Sequence, residues 1–137
     1  MDPYIILHVE DESSIRRLVK VICAKQFGDQ VVVLDATSCN TAMNALRNYP
    51  PEDRLHLIIT DYHLLGRETG GDLLEAMKRD RRWCATPSIL MSSEMLGDIC
   101  AKHRLIAKSQ PYLRKPCSMN NVVWLIRKML KIPDQQP

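Results

Sequence analysis

Glu10, Asp11 and Glu12 stand directly after the apolar run Ile5-Ile6-Leu7-His8-Val9, and Asp61 stands directly after Leu57-Ile58-Ile59-Thr60. Short continuous apolar runs bounded by polar turns read as strands buried on both faces, as in a parallel sheet. Acids just past the carboxyl ends of such strands lie where open α/β sheets bind their ligands. Several carboxylates in one crevice repel each other, and the arrangement is stable when a cation joins them. These residue types in this pattern therefore point to a metal site built around an aspartate.

Strand and helix signals alternate along the chain and must position those acids. After the first strand, Ile15, Leu18, Val19 and Ile22 follow the spacing of an amphipathic helix. Ser13 or Asp11 is expected to cap it and Gly28 to end it. Val31 to Leu34 reads as a second strand by its β-branched run. Ser38 then caps a helix carrying Ala42, Met43, Ala45 and Leu46, which Pro50-Pro51 is expected to stop. A third strand from Leu55 to Thr60 delivers Asp61, and a glycine-bearing loop from Leu65 to Gly71 precedes a helix with Leu73, Leu74 and Met77. Ser88 to Met91 is a fourth strand. The stretch from Leu96 to Lys108 is a loosely periodic helix, and Pro111 to Arg114 a short fifth strand. Ser118 caps a last helix from Met119 to Lys131, with Val122, Ile126, Met129 and Leu130 on its core side and Trp124 and Leu125 off that stripe. Such alternation implies right-handed crossovers and a parallel sheet between two helix layers.

The length of 137 residues suits one domain, expected over residues 1–132, with 133–137 a frayed tail. Apolar content of 45% and charged content of 26% are ordinary for a soluble globular chain, and the net charge of +3 is mild. Lys78, Arg79, Arg81 and Arg82 read as a solvated helix end, where cations suit the helix dipole. Five cysteines without CxxC or metal-finger spacing read as reduced thiols in a cytoplasmic protein. No signal peptide or membrane-spanning run is evident. His8, His56, His63 and His103 lack metal-ligand spacing; His8 and His56 are expected in strands.

Four strand ends thus contribute polar residues to one rim: Glu10-Asp11-Glu12, Asp61, Ser92 and Lys115. In this order the chain resembles a response-regulator receiver domain of two-component signalling, from Tyr4 to about Lys131. The motifs are Glu10-Asp11, Asp61, Ser92 after Pro87-Ser88-Ile89-Leu90-Met91, and Tyr112-Leu113-Arg114-Lys115-Pro116. Intervals of 50, 31 and 23 residues separate Asp11, Asp61, Ser92 and Lys115. The resemblance implies a flavodoxin-like α/β fold with five parallel strands in order 2-1-3-4-5 and five helices on two faces. It implies Asp61 as phosphoacceptor from a histidine kinase or phosphotransfer protein, with Mg²⁺ held by Glu10, Asp11, Asp61 and the backbone carbonyl of His63. Lys115 would serve a phosphoryl oxygen. Ser92 and Tyr112 would carry the switch to a surface of the fourth helix, fifth strand and last helix, used for a downstream partner or a dimer. Lys115-Pro116 becomes a candidate cis peptide, which X-Pro bonds adopt cheaply. The domain is expected to be a phosphoacceptor and not a dedicated enzyme, without direct nucleic-acid or membrane contact, and either stands alone or is cut from a longer or hybrid protein.

Taken singly, each motif has a plainer explanation. An acid cluster suits any helix amino terminus, Ser92 is a strand-end hydroxyl, and a lysine before proline is ordinarily a surface residue. Their coincidence on one rim favours the joint reading. Departures exist: Leu65 replaces the proline usual after the phosphoacceptor, and Lys108-Ser109 replaces the usual Gly-Ala before the fifth strand. A pseudo-receiver binding module is the first alternative. A Mg²⁺-dependent phosphatase with an aspartyl-phosphate intermediate is the second, although it usually wants an acid where His63 stands. A nucleotide-binding flavodoxin relative lacks its phosphate loop here. His63 and Glu94, each two residues past a site residue, are expected to affect access of the hydrolytic water.

Overall fold

Successive side chains of a strand point to opposite faces, so continuous apolar runs bury both faces of the central strands. In the computed structural model, which describes residues 2–134, the strands are β1 (Tyr4–Val9), β2 (Val31–Ala36), β3 (Leu57–Asp61), β4 (Ser88–Ser92) and β5 (Tyr112–Arg114). They form one parallel sheet in the order β2-β1-β3-β4-β5. All five residues of β3 are buried, which its central place requires. The helices are α1 (Ser13–Phe27), α2 (Cys39–Arg47), α3 (Gly70–Lys78), α4 (Leu96–Lys102) and α5 (Met119–Leu130). The expected strand order and helix number are those observed.

One parity of the strands, with Ile6, Leu57, Ile59, Ile89 and Met91, packs on Val19, Cys23 and Phe27 of α1 and on Val122, Ile126 and Leu130 of α5. The other, with Leu7, Val9, Ile58 and Leu90, packs on Ala42 and Leu46 of α2, Leu73, Leu74 and Met77 of α3, and Ile99 of α4. Helix ends follow local chemistry. Ser38 and Thr41 form a capping box on α2, Thr69 and Asp72 another on α3, and the Ser118 hydroxyl accepts the Asn121 N–H of α5. Gly28 ends α1 with φ +57°. Lys115-Pro116 is cis.

Several boundaries differ from expectation. The amino cap of α1 is Glu12, with no side-chain cap bond, instead of Ser13 or Asp11. Leu18 is exposed, because the core stripe of α1 runs through Val19, Cys23 and Phe27. β2 continues to Ala36, and α2 ends at Arg47, ahead of Pro50. β3 begins at Leu57, so His56 precedes it, its Nδ1 accepting the Ile5 N–H at 2.9 Å. Gly70 and Gly71 open α3 instead of closing the loop. α4 stops at Lys102, since His103 leaves the helix with φ −130°. On α5, Met129 and Leu125 are both partly buried against the core, and Trp124 is exposed. In the expected tail, Pro133 and Asp134 are tied to Arg127, whose Nη1 donates to the Pro133 carbonyl and whose Nε lies 3.1 Å from the Asp134 carboxylate; residues 135–137 lie outside the described residues.

Candidate functional site

The carboxyl ends of β1 and β3 lie side by side because Val9 pairs with Thr60 in register. The acids that follow are thereby brought together: ligand atoms of Glu10, Asp11 and Asp61 all lie within 4.8 Å of one another. Glu10 is almost fully buried and Asp61 nearly so, while Asp11 is half-buried. Burial first, and the neighbouring Asp61 charge second, push the Glu10 carboxyl up to about 7. Burial likewise raises Asp61, although Lys115 opposes it. Lys115, delivered by the turn after β5, places Nζ 3.0 Å from Asp61 Oδ2 and 3.9 Å from Glu10 Oε1. Burial pulls its ammonium down, but Asp61, Glu10 and Glu12 outweigh that and hold it above the usual lysine value. One cation thus faces three clustered carboxylates. That donor set, all oxygen and in excess negative charge, fits a divalent cation such as Mg²⁺.

Backbone contacts orient the nucleophile candidate. The Tyr62 N–H donates to Asp61 Oδ1 at 3.1 Å and to the Met91 carbonyl at 2.8 Å. The Gly70 N–H donates to the Tyr62 carbonyl at 2.8 Å, which draws the start of α3 onto the end of β3. A Cβ at Gly70 would stand 2.1 Å from the Asp61 carbonyl oxygen, so only glycine permits this approach.

Ser92 is completely buried at the end of β4, and its Oγ accepts the Glu94 N–H at 3.1 Å. The Tyr112 hydroxyl donates to the Ser92 carbonyl at 3.1 Å and also to the Glu94 carbonyl. The aromatic ring therefore sits inward, latched to the loop between β4 and α4. Across the mouth of the site, His63 Nε2 lies 2.8 Å from Glu94 Oε2, and Lys102 Nζ lies 3.0 Å from Glu94 Oε1. His63 itself is exposed.

All the residues expected at the site, namely Glu10, Asp11, Asp61, His63, Ser92, Tyr112 and Lys115, lie on this rim. Two further features had not been anticipated. Arg16 of α1 donates from Nη1 to the Glu10 carbonyl at 2.8 Å and so braces the acidic turn; an arginine one helical turn past the acids was its only signal. Buried Tyr62 and His103 and half-buried Glu75 form a hydrogen-bonded chain that starts at the residue after Asp61, which no sequence spacing announces. His8, in β1 as expected, is buried, and its Nδ1 is the one buried side-chain polar atom without a partner among the described residues. Burial lowers its pKa to about 4 and keeps it neutral.

No family model matches the chain, and no curated protein matches it. Solved structures do. The phosphorylated cyanobacterial phytochrome response regulator RcpA is 22% identical with a TM-score of 0.76, the match covering 98% of this chain and 99% of that one. The chemotaxis response regulator CheY4 of Vibrio cholerae is 19% identical with a TM-score of 0.75, over 93% of this chain and 99% of that one. The signal receiver domain of an HD domain-containing protein from Pseudomonas fluorescens is 19% identical with a TM-score of 0.75, over 96% and 89%. The fold is that of response-regulator receiver domains.

Proposed function

We propose that this chain is a phosphoacceptor receiver: Asp61 takes a phosphoryl group from a phosphohistidine on a histidine kinase or phosphotransfer protein, and the change is read by a protein partner. One observation carries this reading. Within a receiver fold, Glu10, Asp11 and Asp61 bring carboxylate oxygens within 4.8 Å of one another, and Lys115 Nζ stands 3.0 Å from Asp61. An Asp61 oxygen forms the new P–O bond while the donor P–N bond breaks, and the leaving imidazole retains the electron pair and takes up a proton. The product is a mixed anhydride that stores energy for the next step. Glu10, Asp11, Asp61 and the His63 carbonyl would hold Mg²⁺, which supplies charge neutralisation for the phosphoryl oxygens.

The chain's own groups do the rest. Lys115 donates to a phosphoryl oxygen as a compact cation. The Ser92 Oγ accepts from Glu94, so its own hydrogen is available for a second phosphoryl oxygen. Moving Ser92 perturbs the carbonyls to which Tyr112 is latched, which links the site to the α4-β5-α5 surface. That surface would serve a downstream partner or a second copy. His63 and Glu94, paired over the mouth, would govern entry of hydrolytic water and hence the phosphoryl lifetime. The domain acts as a substrate that tunes its own dephosphorylation and not as a dedicated enzyme. Among the described residues no helix is long and apolar enough to cross a membrane. Five free thiols suit the reducing cytoplasm, where we place the chain.

Incubation with acetyl phosphate and Mg²⁺, followed by intact-mass measurement, tests this. One base-labile phosphoryl group is expected, absent in Asp61→Asn and absent without the metal. A native chain that takes none, yet keeps its fold, is a binding module of the pseudo-receiver kind.

A further inference from the structure

We propose that Glu75, His103 and Tyr62 form a positioning relay that fixes the backbone around Asp61 and thereby sets how fast it accepts a phosphoryl group. The inference rests on the phosphoacceptor reading above and adds residues that reading does not use. Tyr62 and His103 are 4% and 6% exposed. The Tyr62 hydroxyl lies 2.7 Å from His103 Nε2, and His103 Nδ1 lies 2.7 Å from Glu75 Oε1. The second Glu75 oxygen accepts the Leu105 N–H at 3.2 Å. Three elements are tied by these bonds: the end of β3, the middle of α3, and the turn that follows α4.

The donor and acceptor roles follow from the chemistry. Partial burial raises the Glu75 carboxyl, but the bonds from His103 and Leu105 outweigh it and hold the group below the usual glutamate value. An ionised Glu75 accepts from Nδ1–H, which leaves the Nε2 lone pair to accept the Tyr62 O–H. This placement of protons satisfies every hydrogen-bonding group in the chain. The imidazole also packs flat against the start of α3. A Cβ at Gly71 would come within 2.6 Å of His103 Nε2, so the glycine makes room for the ring. Asp72 Oδ1, 3.9 Å from His103 Nδ1, is the other carboxylate at the ring, and Lys102 Nζ lies 5.9 Å from the Tyr62 ring centre.

Tyr62 is the residue through which such a relay must act. It lies in sequence between Asp61 and His63, the nucleophile and the carbonyl assigned to the metal. Its N–H donates to Asp61 Oδ1 and to Met91, and its carbonyl accepts from Gly70. A tyrosine ring anchored at its far end therefore resists rotation of both flanking peptides. Positioning errors below an ångström are costly in a displacement reaction, and a full ångström costs roughly a hundredfold.

The test uses two readouts on the full chain. Ring-nitrogen chemical shifts of His103 in the native protein should report the neutral Nδ1–H tautomer, with a mixture of tautomers in Tyr62→Phe. With acetyl phosphate and Mg²⁺, Tyr62→Phe and Glu75→Gln should lower the rate constant at saturating donor by about tenfold. The donor concentration for half-maximal rate should stay unchanged and the folded fraction, followed by circular dichroism, should equal that of the native chain, so loss of folded protein does not account for the slower rate. A folded Tyr62→Phe that reacts within twofold of the native rate overturns the relay, as does an Nε2–H tautomer in the native chain. Should Tyr62→Phe not fold, Glu75→Gln and the native ring shifts decide. An inert native chain is a different failure: it overturns the phosphoacceptor reading and the rate claim with it, whereas a reactive native chain with an equally reactive Tyr62→Phe overturns the relay alone.

Discussion

At the amino ends of β3 and β4, Arg82 donates to the carbonyls of Tyr49 and Pro50 and lies 4.2 Å over the Trp83 ring, against which Tyr49 packs edge-on. Nearby, Gln110 Nε2 donates to the Ser88 and Pro111 carbonyls. At the carboxyl ends of β1 and β3, three carboxylates face one lysine, and the imidazole of His8 has an unpartnered nitrogen. One end of the sheet satisfies its polar groups; the other leaves charge in excess. A cation whose donors are satisfied by carbonyls holds two loops together from the surface, while burial of crowded carboxylates costs stability and creates affinity for a cation. The contrast shows where this fold is held and where it is poised to react. It also reassigns part of the basic cluster after α3: Lys78 and Arg79 close the helix, and Arg82 is a clamp between loops.

The largest effect that can break this contrast lies at the satisfied end. Trp83→Ala should lower the unfolding free energy by about 3–5 kcal/mol, the usual cost of truncating a buried aromatic, as measured by urea denaturation. The molecules that remain folded should accept a phosphoryl group at the native rate. A loss below about 1 kcal/mol would mean that the clamp holds little.

At the crowded end the sign reverses. The Glu10 pKa is raised from 4.5 to about 7 on folding. Between those values the folded chain binds more protons than the unfolded one, so metal-free stability falls as pH rises through this window and stays lower above it. Glu10→Gln should therefore stabilise the metal-free protein at pH 8 by about 3 kcal/mol in the same denaturation assay. In the native chain a proton on Glu10 competes with the metal. Mg²⁺ should then bind about tenfold more tightly at pH 8 than at pH 6, a dependence that Glu10→Gln abolishes in a calorimetric titration. A native protein with no such slope would show that Glu10 is already ionised and the crowding illusory.

The smallest expected effect sharpens the comparison at the mouth of the site. Replacing His63 and Glu94 together by Ala removes a surface pair, exposed His63 with half-buried Glu94, held at 2.8 Å. Such surface pairs contribute little to stability, so the denaturation midpoint should hold while the phosphoryl lifetime changes by roughly threefold. An unchanged lifetime, followed by intact mass after removal of the donor, sinks the role given to this pair.

Much of the site was legible because parallel strands announce themselves. Ile58 and Ile59 must be buried on both faces, so the first acid after them must stand at the strand end, and the same logic applies to Glu10, Ser92 and Lys115. Caps were readable where a hydroxyl stood at the right offset, as at Ser38 and Ser118. The end of α4 was not readable. His103 abandons the helix because Tyr62 and Glu75 offer it better partners, and those residues stand 41 and 28 positions away. Arg82 is exposed as expected, but its tie to another loop was not readable because the carbonyls it binds, at Tyr49 and Pro50, stand more than thirty positions away.

Local pattern in the chain was therefore enough to determine which segments become strands and which acids meet at their ends, because burial periodicity and turn chemistry act over a few residues. Packing alone decided how those acids are charged, that Tyr112 sits inward, and that His103 joins Tyr62 to Glu75. Desolvation and hydrogen-bond geometry depend on distances between atoms far apart in the chain, and those distances exist only once the helices have closed over the sheet.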